Sequence, residues 1–260
     1  MNGGFRVKNI ITAKNIIKVY GDKDKARVLN NVNLEVNEGD FICIMGPSGS
    51  GKSTFLNILS TVDRPTKGVV KINNQNVYGM VELRLGQLRY ENIGFVFQDF
   101  NLIDSMTIRE NISIPLVLAS VKAKEIKEKT DEIATKLSIF DTLEKFPNEC
   151  SGGQKQRAAA ARALITNPKI IVADEPTGSL DTKNSHELLK IFEERNKERG
   201  TAILMVTHDA MIASYAKKLI FLRDGKIDEQ LERGNLSQKE FFYKIVDITS
   251  KESQSLFDKM

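Results

Sequence analysis

Gly46-Pro47-Ser48-Gly49-Ser50-Gly51-Lys52-Ser53 follows the apolar run Phe41-Ile42-Cys43-Ile44-Met45 and leads into Thr54-Phe55-Leu56-Asn57-Ile58-Leu59. The pattern is that of a phosphate loop between a strand and a helix. Glycines allow backbone conformations that turn successive N–H groups toward one centre, and the start of a helix adds positive partial charge. Lys52 supplies a point charge for β- and γ-phosphates, the Ser53 hydroxyl can ligate Mg²⁺, and Thr54 belongs to the same helix start. A bare strand-to-helix turn has no need of Lys-Ser at that position.

A second apolar run, Ile170-Ile171-Val172-Ala173, ends in Asp174-Glu175. A buried strand can deliver Asp174 rigidly to a magnesium ion, and Glu175, one residue on, can polarise an attacking water. Two acids at a strand end are also a common solvent-facing terminus, so the pair gains its meaning from the loop upstream. Ala202–Val206 is a third such run, followed by Thr207-His208-Asp209. His208 can hydrogen-bond a γ-phosphate, although a lone histidine is more often structural. His186, in the polar stretch Asp181–His186, reads as a surface residue.

The elements that must hold these residues alternate between short apolar runs and longer helical stretches. Phe41–Met45, Gly94–Phe97, Ile170–Ala173 and Ala202–Val206 are nearly continuous apolar segments. Such segments are strands buried on both faces, as in a parallel sheet flanked by helices, so the core is α/β. Thr12–Tyr20, Val28–Val36 and Gly68–Ile72 instead alternate apolar and polar residues between the turn signals Gly21-Asp22, Asn37-Glu38-Gly39 and Asn73-Asn74, which predicts an antiparallel β subdomain. From Asp99 to Asn148 the pattern is helical, with Ile126, Ile133 and Leu137 on one face of a helix over Ala123–Leu137. Ser237-Gln238-Lys239-Glu240 is a capping box ahead of Phe241, Phe242, Ile245, Val246 and Ile248, predicting a C-terminal helix. The expected division is a core of residues 1–98 and 161–227, a helical subdomain over 99–160, and a helical tail over 228–260.

The bulk properties narrow the class. A chain of 260 residues with 41% apolar content can bury a substantial core. The net charge of +4 is too small an excess to argue for nucleic acid. Cys43 and Cys150 form no closely spaced pair with another Cys or His, so no zinc site is suggested. Met1–Arg6 lacks the apolar stretch of a signal peptide, and the longest apolar runs are strand-length, so a membrane role would require docking onto another chain.

Cys150-Ser151-Gly152-Gly153-Gln154 selects among phosphate-loop families. It resembles the signature motif of ATP-binding-cassette (ABC) ATPases, with Cys150 where leucine is usual. Ser151-x-x-Gln154 is equally a capping box, and the two readings are compatible, because a helix start with small residues is an anion site. The resemblance covers about Ile11 to Ile227. It implies a P-loop NTPase (RecA-like) core and ATP with Mg²⁺ as ligands. Tyr20 would stack on adenine, Gln98 would touch magnesium and water, and Ser179-Leu180-Asp181 would couple two sites across a dimer. Ser151, Gly152, Gly153 and Gln154 would face the γ-phosphate held by the opposite copy, and His208 would be the switch histidine. The segment Phe97–Ile112, Pro147-Asn148-Glu149, Gly152–Arg157, Met205–Asp209 and the Phe241-Phe242 tail are similar to the Bce-type peptide-antibiotic transporters. That resemblance implies a homodimer at the cytoplasmic face of the cell membrane, a transmembrane permease docked near Asp99–Ile108, a sensor kinase as a further partner, and no nucleic acid. Three rival expectations remain: a non-transporting cell-division or cell-wall regulator, a soluble cassette acting on nucleic acid or ribosomes, and a nucleotide-binding regulatory module without turnover, against which Glu175 and His208 argue. The second is disfavoured by a single cassette without a heptad run.

Overall fold

A computed structural model describes residues 8–21 and 25–257, with side chains as far as 250. The signal-free reading of Met1–Arg6 and the Asp22 half of the first turn lie outside the described residues. The chain forms two compact units, Met1–Tyr78 with Leu204–Met260, and Gly79–Ile203.

The first unit opens with β1 (Asn9–Tyr20) and β2 (Ala26–Asn37), two long antiparallel strands. Their pairing slips at Ala13–Ile16, where Asn15 takes a φ of 54° and its N–H donates to Asn33 Oδ1 at 2.8 Å. Asparagine tolerates that conformation better than most side chains, which is why the bulge falls there. β3 (Phe41–Met45) is buried throughout and feeds α1 (Lys52–Leu59), whose Phe55, Leu56, Ile58 and Leu59 are buried. β4 (Lys67–Ile72) and β5 (Gln75–Asn76) complete an antiparallel sheet of order β2-β1-β4-β5.

The second unit carries α2 (Glu82–Asn92), β6 (Ile93–Val96), α3 (Ile108–Leu118), α4 (Ala123–Lys136), α5 (Gly152–Leu164), β7 (Ile170–Asp174) and α6 (Thr182–Arg199). Residues 99–148 contain no strand, as the periodicity predicts. β6 and β7 are parallel, with Ile93 opposite Ile170 and Val96 opposite Ala173. Ala158–Ala161 of α5 are fully buried, small side chains that allow close packing. Three of these helix starts carry a side-chain cap. Thr107 and Glu110 close a capping box on α3, Ser151 and Gln154 close one on α5, and Asp181 accepts from Asn184 N at 2.8 Å at the head of α6. α6 stops at Gly200, which is left-handed.

β8 (Ala202–Val206), buried along its length, returns the chain to the first unit, followed by α7 (Ala210–Ala213), β9 (Lys218–Arg223), β10 (Lys226–Glu232) and α8 (Gln238–Phe257). There β3 pairs parallel with β9 and β9 antiparallel with β10. Ser237 and Glu240 cap α8 reciprocally, and Phe241 and Ile245 are fully buried. Two expected boundaries fall inside elements. β10 runs through 227/228 because Ile227 and Glu229 both pair with β9, and α5 runs through 160/161 as one helix.

Candidate nucleotide-binding site

In the first unit the phosphate loop is shaped by backbone contacts. Gly46 has a φ of +146°, and a methyl group on it would lie 2.0 Å from the Leu222 carbonyl oxygen. Ser50 N donates to Pro47 O at 3.2 Å, and Gly225 N, at the β9–β10 turn, donates to Ser50 O at 3.2 Å. Gly51, at φ 99°, starts α1 with no side-chain cap and no acid in the first turn. The first N–H groups of α1 therefore keep their positive field for an anion. Lys52 Nζ donates to Gly46 O at 2.9 Å and to Pro47 O at 2.8 Å, folding the ammonium over the loop. Ser48, Gly49 and Ser53 are exposed, while Ser50 is buried under the turn.

Tyr20 and His208 belong to the same unit. The Tyr20 ring is 44% exposed, its hydroxyl donates to Asp63 Oδ2 at 2.8 Å, and Lys18 Nζ lies 4.6 Å from its centroid. Burial and the Asp63 carboxylate push the phenol pKa up, and a hydrogen bond with Thr54, which acts the other way, places the ring beside the start of α1. Asp63 was not singled out from the sequence. Burial raises its pKa, but the Lys18 and Tyr20 hydrogen bonds outweigh that and hold the carboxyl below its usual range. His208 is exposed just beyond β8, and Thr207 N donates to Ile44 O at 3.4 Å, tying that strand end to the strand that feeds the loop.

The second unit groups the other candidates. β7 ends at the half-buried Asp174, and Glu175 follows with a φ of 46°, a strained backbone for a glutamate. Because Val96 registers with Ala173, Gln98 and Glu175 each lie two residues beyond a paired position on neighbouring strands, and Gln98 is exposed. At α5, Ser151 N donates to Gln154 Oε1 at 2.9 Å and Gln154 N to Ser151 Oγ at 3.3 Å, so the capping box is fully formed. Gly152 and Gly153 sit half-exposed within it. Cys150 is buried below, its thiol pKa pushed up by that burial, which fits a packing role. Beyond Gln98, Phe100 and Asn101 both have positive φ, and Arg162 holds their carbonyls at 2.8 and 2.5 Å. Arg162 carried no sequence signal, because its partners are main-chain atoms.

The phosphate loop and the start of α1 fit the phosphates of a nucleotide. Among the described residues no cluster of three or more His, Cys, Asp or Glu forms a metal cage. Magnesium is usually held by one or two side chains together with phosphates and water, and Ser53 in the first unit and Asp174 in the second are each a side-chain oxygen of that kind.

A family model described as "ABC transporter" matches residues 29–178. The chain is 45% identical over 238 residues to the bacitracin export ATP-binding protein BceA of Halalkalibacterium halodurans, covering 91% of this chain and 94% of that protein. It is 43% identical over 242 residues to the ABC transporter ATP-binding protein YxdL of Bacillus subtilis, covering 93% and 94%. The dimeric structure of the ABC transporter cassette MJ0796 superposes with a TM-score of 0.83 at 39% identity, covering 86% of this chain and 98% of that one. Its post-hydrolysis dimer bound to ADP and Pi matches with a TM-score of 0.82 at 38% identity. With a phosphate loop of this geometry and relatives matched over nearly their full length, the chain belongs to the ABC transporter family, as an ATPase subunit that binds ATP with Mg²⁺.

Proposed function

We propose that two copies of this chain close around two ATP molecules and drive a permease that exports or detoxifies peptide antibiotics, at the cytoplasmic face of the cell membrane. The carrying observation is the 45% identity to a bacitracin export ATP-binding protein over 91% of the chain. No helix among the described residues is long and apolar enough to cross a membrane, so the permease in this reading is another chain.

Each site residue has one task. The loop 46–51 and the start of α1 hold the phosphates, with Lys52 exchanging its bonds to Gly46 and Pro47 for phosphate oxygens. Tyr20 presents its ring to the base. Ser53, Asp174 and Gln98 hold the magnesium, which supplies charge neutralisation on the phosphates when bound. Glu175 orients and polarises the attacking water, a role worth about 10²–10⁴-fold in rate. His208 contacts the γ-phosphate. Ser151, Gly152, Gly153 and Gln154 offer the start of α5 to the phosphate held by the other copy. ATP favours the closed pair because those contacts exist only when it is closed.

Asp99–Ile108 is the proposed permease surface, with a sensor kinase as a further partner of the complex. In the second unit Ile103 is 42% exposed there, and Asn101 of the same segment lines a cavity of about 310 Å³ with Tyr90, Phe97, Pro115 and Arg162. The test is affinity capture of tagged Glu175→Gln with ATP from gently solubilised native membranes. The expected outcome is a stalled, ATP-loaded dimer that brings down a multi-span permease with a large extracellular domain. Turnover near wild type would remove Glu175 as the base. A cell-wall or division partner would replace the antibiotic reading, and nucleic-acid machinery alone would remove the membrane reading.

A further inference from the structure

Two consecutive residues of α5, Gln156 and Arg157, grip both ends of the loop that follows β7. Gln156 is 1% exposed, and its Nε2 donates to Pro176 O at 2.6 Å. Its Oε1 is buried without a hydrogen-bond partner, so this one directional bond fixes the side chain. Pro176 directly follows Glu175, whose positive φ persists only where the surroundings hold it. The Pro176 ring and the bond from Gly178 N to Glu175 O at 3.1 Å restrain the loop from within. Gln156 ties it to a separate element, α5. At the far end, Arg157 Nη1 donates to Asn184 Oδ1, and Asn184 in turn donates from its side chain to Asp181 Oδ2 at 2.8 Å. Asp181 caps α6, so the loop is anchored to α5 at its start and at its finish.

We propose that Gln156 and Arg157 are positioning residues that transmit the engagement of the Ser151–Gln154 turn to Glu175 within the same chain. This rests on Glu175 being the base and on the Ser151–Gln154 turn meeting the other copy's phosphate, as proposed above. A helix moves as a stiff rod, and Gln156 lies five residues from the cap of that rod. When the start of α5 docks, the Pro176 carbonyl and the Glu175 backbone must follow. Hydrolysis on one copy then depends on whether its own signature turn is seated on the nucleotide of the other.

The test is steady-state ATP hydrolysis by the full chain carrying Gln156→Met, which keeps length and bulk and lacks the donor. The expected result is a kcat lower by about tenfold to a hundredfold, with KM for ATP and ATP-driven dimerisation retained and cooperativity in ATP lost. Wild-type kcat would overturn the proposal, as would a loss of kcat accompanied by loss of dimerisation, which marks a merely structural residue. Gln156→Glu gives an independent readout. Its buried carboxyl donates to Pro176 O when protonated and repels it when ionised, so activity relative to wild type should recover as pH is lowered. A flat ratio across pH would overturn the relay. Glu175→Gln, measured alongside, separates the two ideas. If it turns over normally, the base assignment fails; if it stalls while the Gln156 variants work normally, only the relay fails.

Discussion

Gly46 has no room for a methyl group. The Leu222 carbonyl oxygen occupies the space at 2.0 Å, and a φ of +146° strains any L side chain. Gly46→Ala should therefore distort the loop and abolish nucleotide binding while leaving most of the fold in place, as titration with a fluorescent ATP analogue would show. Lys52→Ala should weaken binding in the same assay without moving the backbone, since its bonds are side chain to carbonyl. Unchanged affinity in either variant would remove the loop from the site. These residues were legible in the sequence because a phosphate loop is a local pattern, with every essential group within a few positions of the next. Asp63, Gln156 and Arg162 were not, because each acts through a partner far along the chain: Tyr20, Pro176, and the carbonyls of Phe100 and Asn101.

Helix α3 is pinned to its neighbours by one guanidinium. Arg109 pairs with Asp131 of α4 at 2.6 Å and with Glu144 at 2.7 Å, and Asp131 also binds Lys127. The Lys127 and Arg109 hydrogen bonds hold the Asp131 carboxyl below its usual range. A depressed carboxylate stabilises fully above its unfolded pKa of about 3.9 and loses that contribution as pH falls through its lower folded value. Arg109→Ala should lower the thermal midpoint by about 2–4 °C near neutral pH. The gap from wild type should close only below about pH 4. Calorimetry across pH checks both, and a gap that widens on acidification would refute the assignment. The apolar strands β3, β6, β7 and β8 and the capping boxes of α5 and α8 were readable before the structure. α2 was not, since Gly86 interrupts it and Leu83 is 88% exposed, leaving a weak helical face. β10 was hidden too, because Lys226–Glu232 carries mostly polar residues on an edge strand.

For the whole molecule, nucleotide and self-association are linked by mass action. Ligand present at a hundredfold over its Kd adds about 2.7 kcal/mol to the stability of the bound state. MgATP should thus raise the melting temperature of Glu175→Gln by roughly 5–10 °C, and the rise should grow with protein concentration if two copies share the ligand. Scanning calorimetry over a dilution series reads both effects, and a shift independent of protein concentration would mean that each copy binds alone.

The hairpin that braces the phosphate loop also has a consequence in time. Gly46 and Ser50 leave the ribosome early, but Leu222 and Gly225, which fix their backbone, come much later in the chain. At a synthesis rate of roughly 5–20 residues per second, the loop waits about 10–35 s for its brace. During that interval a nascent chain holds every residue of the motif without the shape that grips ATP. A fragment stopping at residue 178, where the family match ends, would stay in that immature condition permanently.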